Sequence, residues 1–165
     1  MDLVGVRVEL PSNSPIVLLR TAETDEAEEQ PRLVPIFIGA NEATAIALAQ
    51  EGVAPPRPMT HDLFSEVLTS FDVRLERVII TEIRERTFHA DLHLRSATEA
   101  RVVSARPSDA IALAVRMSAP IFADPDLVDE VGYIEQVEEP EEMSDEVVEE
   151  FRDFIANVNP EDFAS

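Results

Sequence analysis

From Leu3 to Leu10 apolar and polar character follows a period of two, with Leu3, Gly5, Arg7 and Glu9 on one face and Val4, Val6, Val8 and Leu10 on the other. That spacing predicts a half-buried strand. Pro11 to Pro15, with Ser12, Asn13 and Ser14 between, reads as a turn, and Ile16 to Arg20 as the returning strand of a hairpin. Leu33 to Ile38 predicts a third, more buried strand ending at Gly39. Asn41 then caps a helix from Glu42 to about Glu51, closed by Gly52. The prolines at 55, 56 and 58 force extended backbone, and Thr60 restarts a helix. Leu63, Phe64, Val67, Leu68 and Phe71 recur at helical spacing and predict its core face.

Beyond this helix the period returns to two. Strands are expected over Arg74 to Ile83, Phe88 to Arg95 and Ala100 to Ser104, with a polar turn at 84–87. Their succession suggests an antiparallel meander. Ser108 caps a further helix running to about Ser118, and Ile121 and Phe122 form a last short strand. Ala45 to Ala49 is echoed in Ala110 to Ala114, where small residues allow a helix to pack closely on a sheet; an old duplication is the alternative.

The elements add up to an α+β fold: a mixed, largely antiparallel sheet of about six strands packed with three to four helices. The domain is expected over residues 1–123, an acidic linker over 124–143 and an acidic tail over 144–165. In the tail Ser144 caps an amphipathic helix carrying Val147, Val148, Phe151, Phe154, Ile155 and Val158. Such a helix is marginal alone, so its stripe is expected to dock in cis, to stabilise a dimer or to shield an arginine-lined groove.

Composition narrows the chemistry. The absence of cysteine removes disulfides, thiolate metal sites and cysteine nucleophiles. No segment approaches the roughly 20 apolar residues that span a bilayer, and the first ten residues lack a secretory pattern, so a cytoplasmic protein without membrane partners is expected. The net charge of -21 looks hostile to nucleic acid, yet residues 124–165 hold 16 acids against one base and 23–29 hold five acids. The rest of the chain is close to neutral, at -1. All 13 basic residues are arginines; codon bias explains that, although a guanidinium also grips phosphate in a bidentate way.

Candidate chemistry gathers at three predicted helix starts: 39–42, 57–62 and 106–109. Helix N-termini attract anions through unpaired N–H groups. Arg57 and Arg106 each precede a proline, then a hydroxyl (Thr60, Ser108) and an acid (Asp62, Asp109). Ordinary capping explains the hydroxyls and acids equally well. His61 beside Asp62 is the best acid–base candidate, although neighbours on a helix diverge by about 100° and need not touch. His89, Asp91 and His93 share one strand face, either as a metal trio or, more simply, as its solvent side.

Three ordered segments carry a resemblance. Pro35 to Gly39 running into Glu42 to Leu48, then Pro56 to Leu63, then Arg106 to Ala114 are similar in order and spacing to the hallmark segments of the bifunctional nuclease family. Val17 to Arg20 and Thr87 to Ala90 look alike too, except that His89 stands where the family usually has an aromatic. The tail resembles that of actinobacterial members.

The resemblance implies a compact α+β fold, usually oligomeric, and an activity ascribed to some members against both DNA and RNA. DNA has no 2′-hydroxyl, so one site for both substrates implies an activated water, as on Mg²⁺ or Mn²⁺, with no organic cofactor. Under this reading His61, Asp62, Glu42 and Asp109 are catalytic, and Asp62, Glu42 and Asp109 are the metal ligands. Arg57, Arg106, Thr60 and Ser108 bind substrate, and the protein is a homo-oligomeric DNase and RNase. A regulatory oligomer binding a small anion or a partner at the same helix ends is the non-enzymatic alternative.

Overall fold

The computed structural model describes residues 1–22 and 30–134. The acidic insert 23–29 and the tail from 135, with its expected helix, lie outside the described residues. Strands β1 (Asp2–Glu9), β2 (Ser14–Arg20) and β3 (Arg32–Phe37) pair antiparallel as a meander. Gly5, at a φ of 147°, sits at the irregularity where the β1 register shifts against β2. Helix α1 (Ala40–Gln50) follows, then α2 (Thr60–Ser70) and the strands β4 (Arg74–Arg84), β5 (Thr87–Arg95) and β6 (Ala100–Ala105). Glu85 and Arg86, at φ 51° and 63°, make the two-residue turn between β4 and β5, whose left-handed backbone matches the strand twist. Helix α3 (Pro107–Met117), β7 (Ile121–Ala123), α4 (Pro125–Val131) and β8 (Tyr133–Ile134) complete the order.

The strands form two four-stranded sheets among the described residues, β1-β2-β3-β8 and β6-β5-β4-β7, where about six strands in one sheet were expected. Every pairing is antiparallel except β4 with β7. α3 packs on β4 and β5 and against α1, which in turn packs on β1 and β2, so the two sheets share one core. Ala110 to Ala114 are all buried on α3, among Val17, Leu19, Val34 and Ile36 of one sheet and Val78, Ile80, Ala90 and Leu92 of the other. A helix buried on several sides needs small residues where its neighbours come close, which accounts for its alternating alanines. Ile46 of α1 joins the same core, so the echoed segments belong to two helices that pack on one another. Each fully buried Leu or Ile contributes about 1.5–3 kcal/mol.

Two further expectations need correction. Leu63, Phe64, Val67 and Phe71 of α2 are between 41% and 75% exposed, and no residue of α2 is buried. Periodicity says which side chains share a face, not that the face meets the rest of the chain. Residues 125–134, expected in the linker, form α4 and β8; Leu127 is buried and Tyr133 pairs with Leu33. The acids Asp126, Asp129 and Glu130 fill the exposed side of that short helix.

The helix starts also move. The N-caps are Gly39, Met59 and Arg106, so Asn41, Thr60 and Ser108 lie inside the first turns. At the other end of α1, Gly52 at φ 68° accepts the left-handed turn expected of it: its N–H reaches the Ala49 carbonyl, and that of Val53 reaches Leu48.

Candidate active site at three helix N-termini

With the caps placed, Glu42, Asp62 and Asp109 all occupy the third position of their helices. A carboxylate there is stabilised by the positive helix end and can fold back toward the cap. Asp62 does so, its Oδ2 accepting the Met59 N–H at 2.9 Å. Gly39 leaves room for Glu42 to do likewise: a Cβ at Gly39 would stand 2.3 Å from Glu42 Oε2.

A line of polar contacts joins the three helices. His61 Nε2 of α2 lies 2.9 Å from Asp109 Oδ1 of α3. Arg106 donates from Nε to Asp109 Oδ2 at 2.8 Å, and from Nη2 to Glu42 Oε1 of α1 at 2.8 Å and Asp109 Oδ1 at 3.1 Å. The order is Glu42, Arg106, Asp109, His61. Burial pushes the Asp109 carboxyl up, but the hydrogen bonds from Arg106 and His61 outweigh it and hold it below its ordinary value. Glu42 is lowered by its own backbone N–H and by Arg106, and Arg106 is raised in turn by Asp109 and Glu42.

An ionised Asp109 can only accept. In the neutral ring Nε2 of His61 therefore carries the proton toward it, and Nδ1 then has a lone pair and no partner among the described residues. The neighbouring Asp62 does not touch it and turns the other way, as the angular step of a helix requires.

Asp62 meets a residue that the sequence reading did not single out. Arg116, in the last turn of α3 and only 8% exposed, donates Nε–H to Asp62 Oδ1 at 2.5 Å, Nη1–H to the Ala112 carbonyl and Nη2–H to the Ala45 carbonyl of α1. Burial raises Asp62, while Arg116 and the Met59 N–H lower it further, for a net decrease. The signal was weak, because an arginine in the last turn of a helix looks like a complement to the dipole. Arg57 is exposed on the loop before α2 and lines a cleft of about 380 Å³ together with Asp62, Glu66 and Arg116. It does not join the Arg106 cluster. Thr60 is exposed, whereas Ser108 is buried at 7%.

The carboxylates do not assemble as a metal site. Among the described residues no group of three or more His, Asp or Glu has the arrangement to hold an ion. Asp62 faces Arg116, while Glu42 and Asp109 share Arg106. On β5, His89, Asp91 and His93 lie opposite Glu82, Ile79 and Arg77, and His93 Nδ1 faces the Arg77 guanidinium at 3.4 Å. No helix among the described residues is long and apolar enough to cross a membrane.

Comparison with known proteins covers these elements along with the rest of the domain. Two uncharacterized proteins of Mycobacterium tuberculosis, from strains CDC 1551 and H37Rv, are each 42% identical over 165 residues, covering 98% of this chain and 95% of the relative. The model of the bifunctional nuclease domain matches residues 18–136, which takes in α1, α2, α3 and every residue of the two clusters. The chain belongs to the bifunctional nuclease domain family.

Proposed function

We propose that the protein hydrolyses phosphodiester bonds of RNA and DNA where the first turns of α1, α2 and α3 meet. The observation that carries this reading is the His61–Asp109 pair, 2.9 Å apart, with Arg106 on the far side of the carboxylate. In outline, Nδ1 of His61 takes a proton from a water whose oxygen attacks phosphorus. The P–O bond to the leaving oxygen breaks, and that oxygen takes the proton back from the imidazolium. Asp109 holds the ring and offsets its positive charge. Arg57 and the N–H groups at the start of α2, beside exposed Thr60, neutralise charge growing on the phosphorane.

Water activation rests on His61 in this arrangement, since Glu42, Asp62 and Asp109 present no three-ligand set. Purified protein incubated with single-stranded RNA and DNA, in EDTA and with Mg²⁺ or Mn²⁺, tests the reading. Cleavage that survives EDTA and disappears in His61→Ala is the expected result. Equal residual cleavage by wild type and variant sinks the enzymatic reading. Homo-oligomerisation belongs to the same proposal and is measured by sedimentation velocity.

One observation favours a non-enzymatic role. Glu42, Asp109, Arg106, Asp62 and Arg116 satisfy one another, as they would in a polar clamp whose surface binds a small anion or a partner. Tight binding of such a ligand without turnover would select that role.

A further inference from the structure

The clefts beside α2 share walls and run as one groove. The cleft holding Arg57, Asp62 and Arg116 shares Glu66 and Arg116 with a second of about 460 Å³. That second cleft shares Thr69 and Met117 with a third of about 630 Å³, bounded by Asp72, Arg74 and Arg95. The groove follows the seam between α2 and α3 from before the first turn of α2 to beyond its last. Eleven helical residues alone make that run about 16 Å.

Its two ends carry arginines that, like Arg20 and Arg86, meet no partner among the described residues. Arg57 and Arg74 have no hydrogen bond or ion pair among the described residues, whereas Arg32, Arg84, Arg95, Arg101, Arg106 and Arg116 each meet a carboxylate. Arg74 also stands directly opposite Arg95 in the β4–β5 register, a pairing of like charges that repels. Glu76 pairs with Arg95 and not with Arg74, accepting from Arg95 Nε at 2.9 Å and Nη2 at 3.3 Å. The Arg74 guanidinium is left at the cleft wall with its donors unused by any described residue. An anion with two oxygens for that planar fork would relieve the repulsion.

We propose that Arg74 holds a backbone phosphate of a single nucleic-acid strand lying in this groove, with Arg57 holding another at the opposite end. The proposal rests on the nuclease reading and concerns how the strand is held beside the reacting bond: the groove passes the first turn of α2 at Asp62, while the His61–Asp109 pair lies outside its lining. Between the two arginines Glu66 and Asp72 repel phosphate, so the strand is gripped at discrete points instead of along a continuous basic channel. A substrate too short to reach Arg74 gains nothing from it.

The test measures binding of the full chain to a labelled single-stranded dinucleotide and dodecanucleotide by fluorescence anisotropy across a salt series, with cleavage followed in parallel. Arg74→Gln is compared with Arg20→Gln, which removes an equal charge from the end of β2, outside these clefts. The expected result is a several-fold loss of dodecanucleotide affinity in Arg74→Gln, larger than in Arg20→Gln, and a salt slope shallower by about 0.7 for the one lost phosphate contact. The dodecanucleotide's advantage over the dinucleotide should shrink accordingly.

If wild type binds and cleaves the dodecanucleotide and Arg74→Gln matches Arg20→Gln, the path is wrong while the nuclease reading stands. If wild type binds no strand at all, both fail. Inorganic phosphate and a mononucleotide form a separate arm. If either binds wild type as tightly as the dodecanucleotide does and loses as much in Arg74→Gln, the cleft takes free phosphate and the strand path is overturned.

Discussion

Arg116 and Asp62 form the least exposed ion pair among the described residues, at 8% and 24% side-chain exposure, and it fastens the first turn of α2 to the last turn of α3. The same guanidinium reaches the Ala45 carbonyl of α1, so one side chain ties three helices. Asp62→Ala leaves that charge buried and unpaired, and the expected loss of stability in urea is about 3 kcal/mol, at the low end for a broken buried pair because Asp62 keeps some solvent. Exchanging both residues together for apolar ones of similar volume should cost less than Asp62→Ala alone. A double variant as unstable as the single one would show that the pair does more than satisfy itself.

Asp109→Asn is expected to leave the fold in place and to lower turnover by about 10²–10⁴-fold. The amide removes the charge that balances the imidazolium, and its NH₂ can turn the ring to the wrong tautomer. Circular dichroism and cleavage of a labelled oligonucleotide separate the two effects. A variant retaining wild-type turnover would remove Asp109 from the mechanism.

Gly39→Ala tests the geometry at the start of α1. The added Cβ meets the Glu42 carboxylate, the flexible end of a side chain, so the backbone should hold while Glu42 swings away from Arg106. Because φ at Gly39 is -74°, alanine brings no backbone strain. The expected signature is stability unchanged to within about 0.5 kcal/mol together with altered substrate affinity. Stability falling well beyond that would mean that the helix start itself had been disturbed.

Acid should loosen the helix junction before it reaches the apolar core. Asp62 and Asp109 both titrate below their ordinary values when folded. The sign follows from linkage: a lowered carboxyl contributes stability that is fully present above the unfolded value of about 3.9 and is lost as pH falls through the folded one. Urea midpoints should therefore be flat near neutrality with respect to these groups and fall below about pH 4. In Asp62→Asn and Asp109→Asn that decline should be shallower, and an unchanged slope in both would count against the assignment.

The polar helix starts were legible to within two residues because first-turn acids and Arg-Pro pairs are local signals, and Asp62, Asp109 and His61 stand at helix starts, although the caps themselves lie one or two residues earlier than expected. Their partners were not, since contacts across 48 to 64 residues, such as His61–Asp109 and Arg106–Glu42, leave no mark on either segment alone. Arg116 was hidden for the same reason. Strand positions also followed from periodicity, but which strands share a sheet is decided by pairing between distant segments, and there the single sheet became two. The acidic stretch after Ala123 misled because a short helix with one buried Leu127 resembles a solvated linker in composition.

Arg106 holds two carboxylates from two helices at once. Any phosphate that seeks this guanidinium enters as a competitor, and the donors it gains are taken from Glu42 or Asp109. Occupancy and local rigidity are thereby set against each other: a ligand drawing on Arg106 slackens the tie between α1 and α3, and its departure restores that tie. A junction wired in this way weakens any ligand's hold on Arg106, which the cleavage proposed above would use in letting its product go.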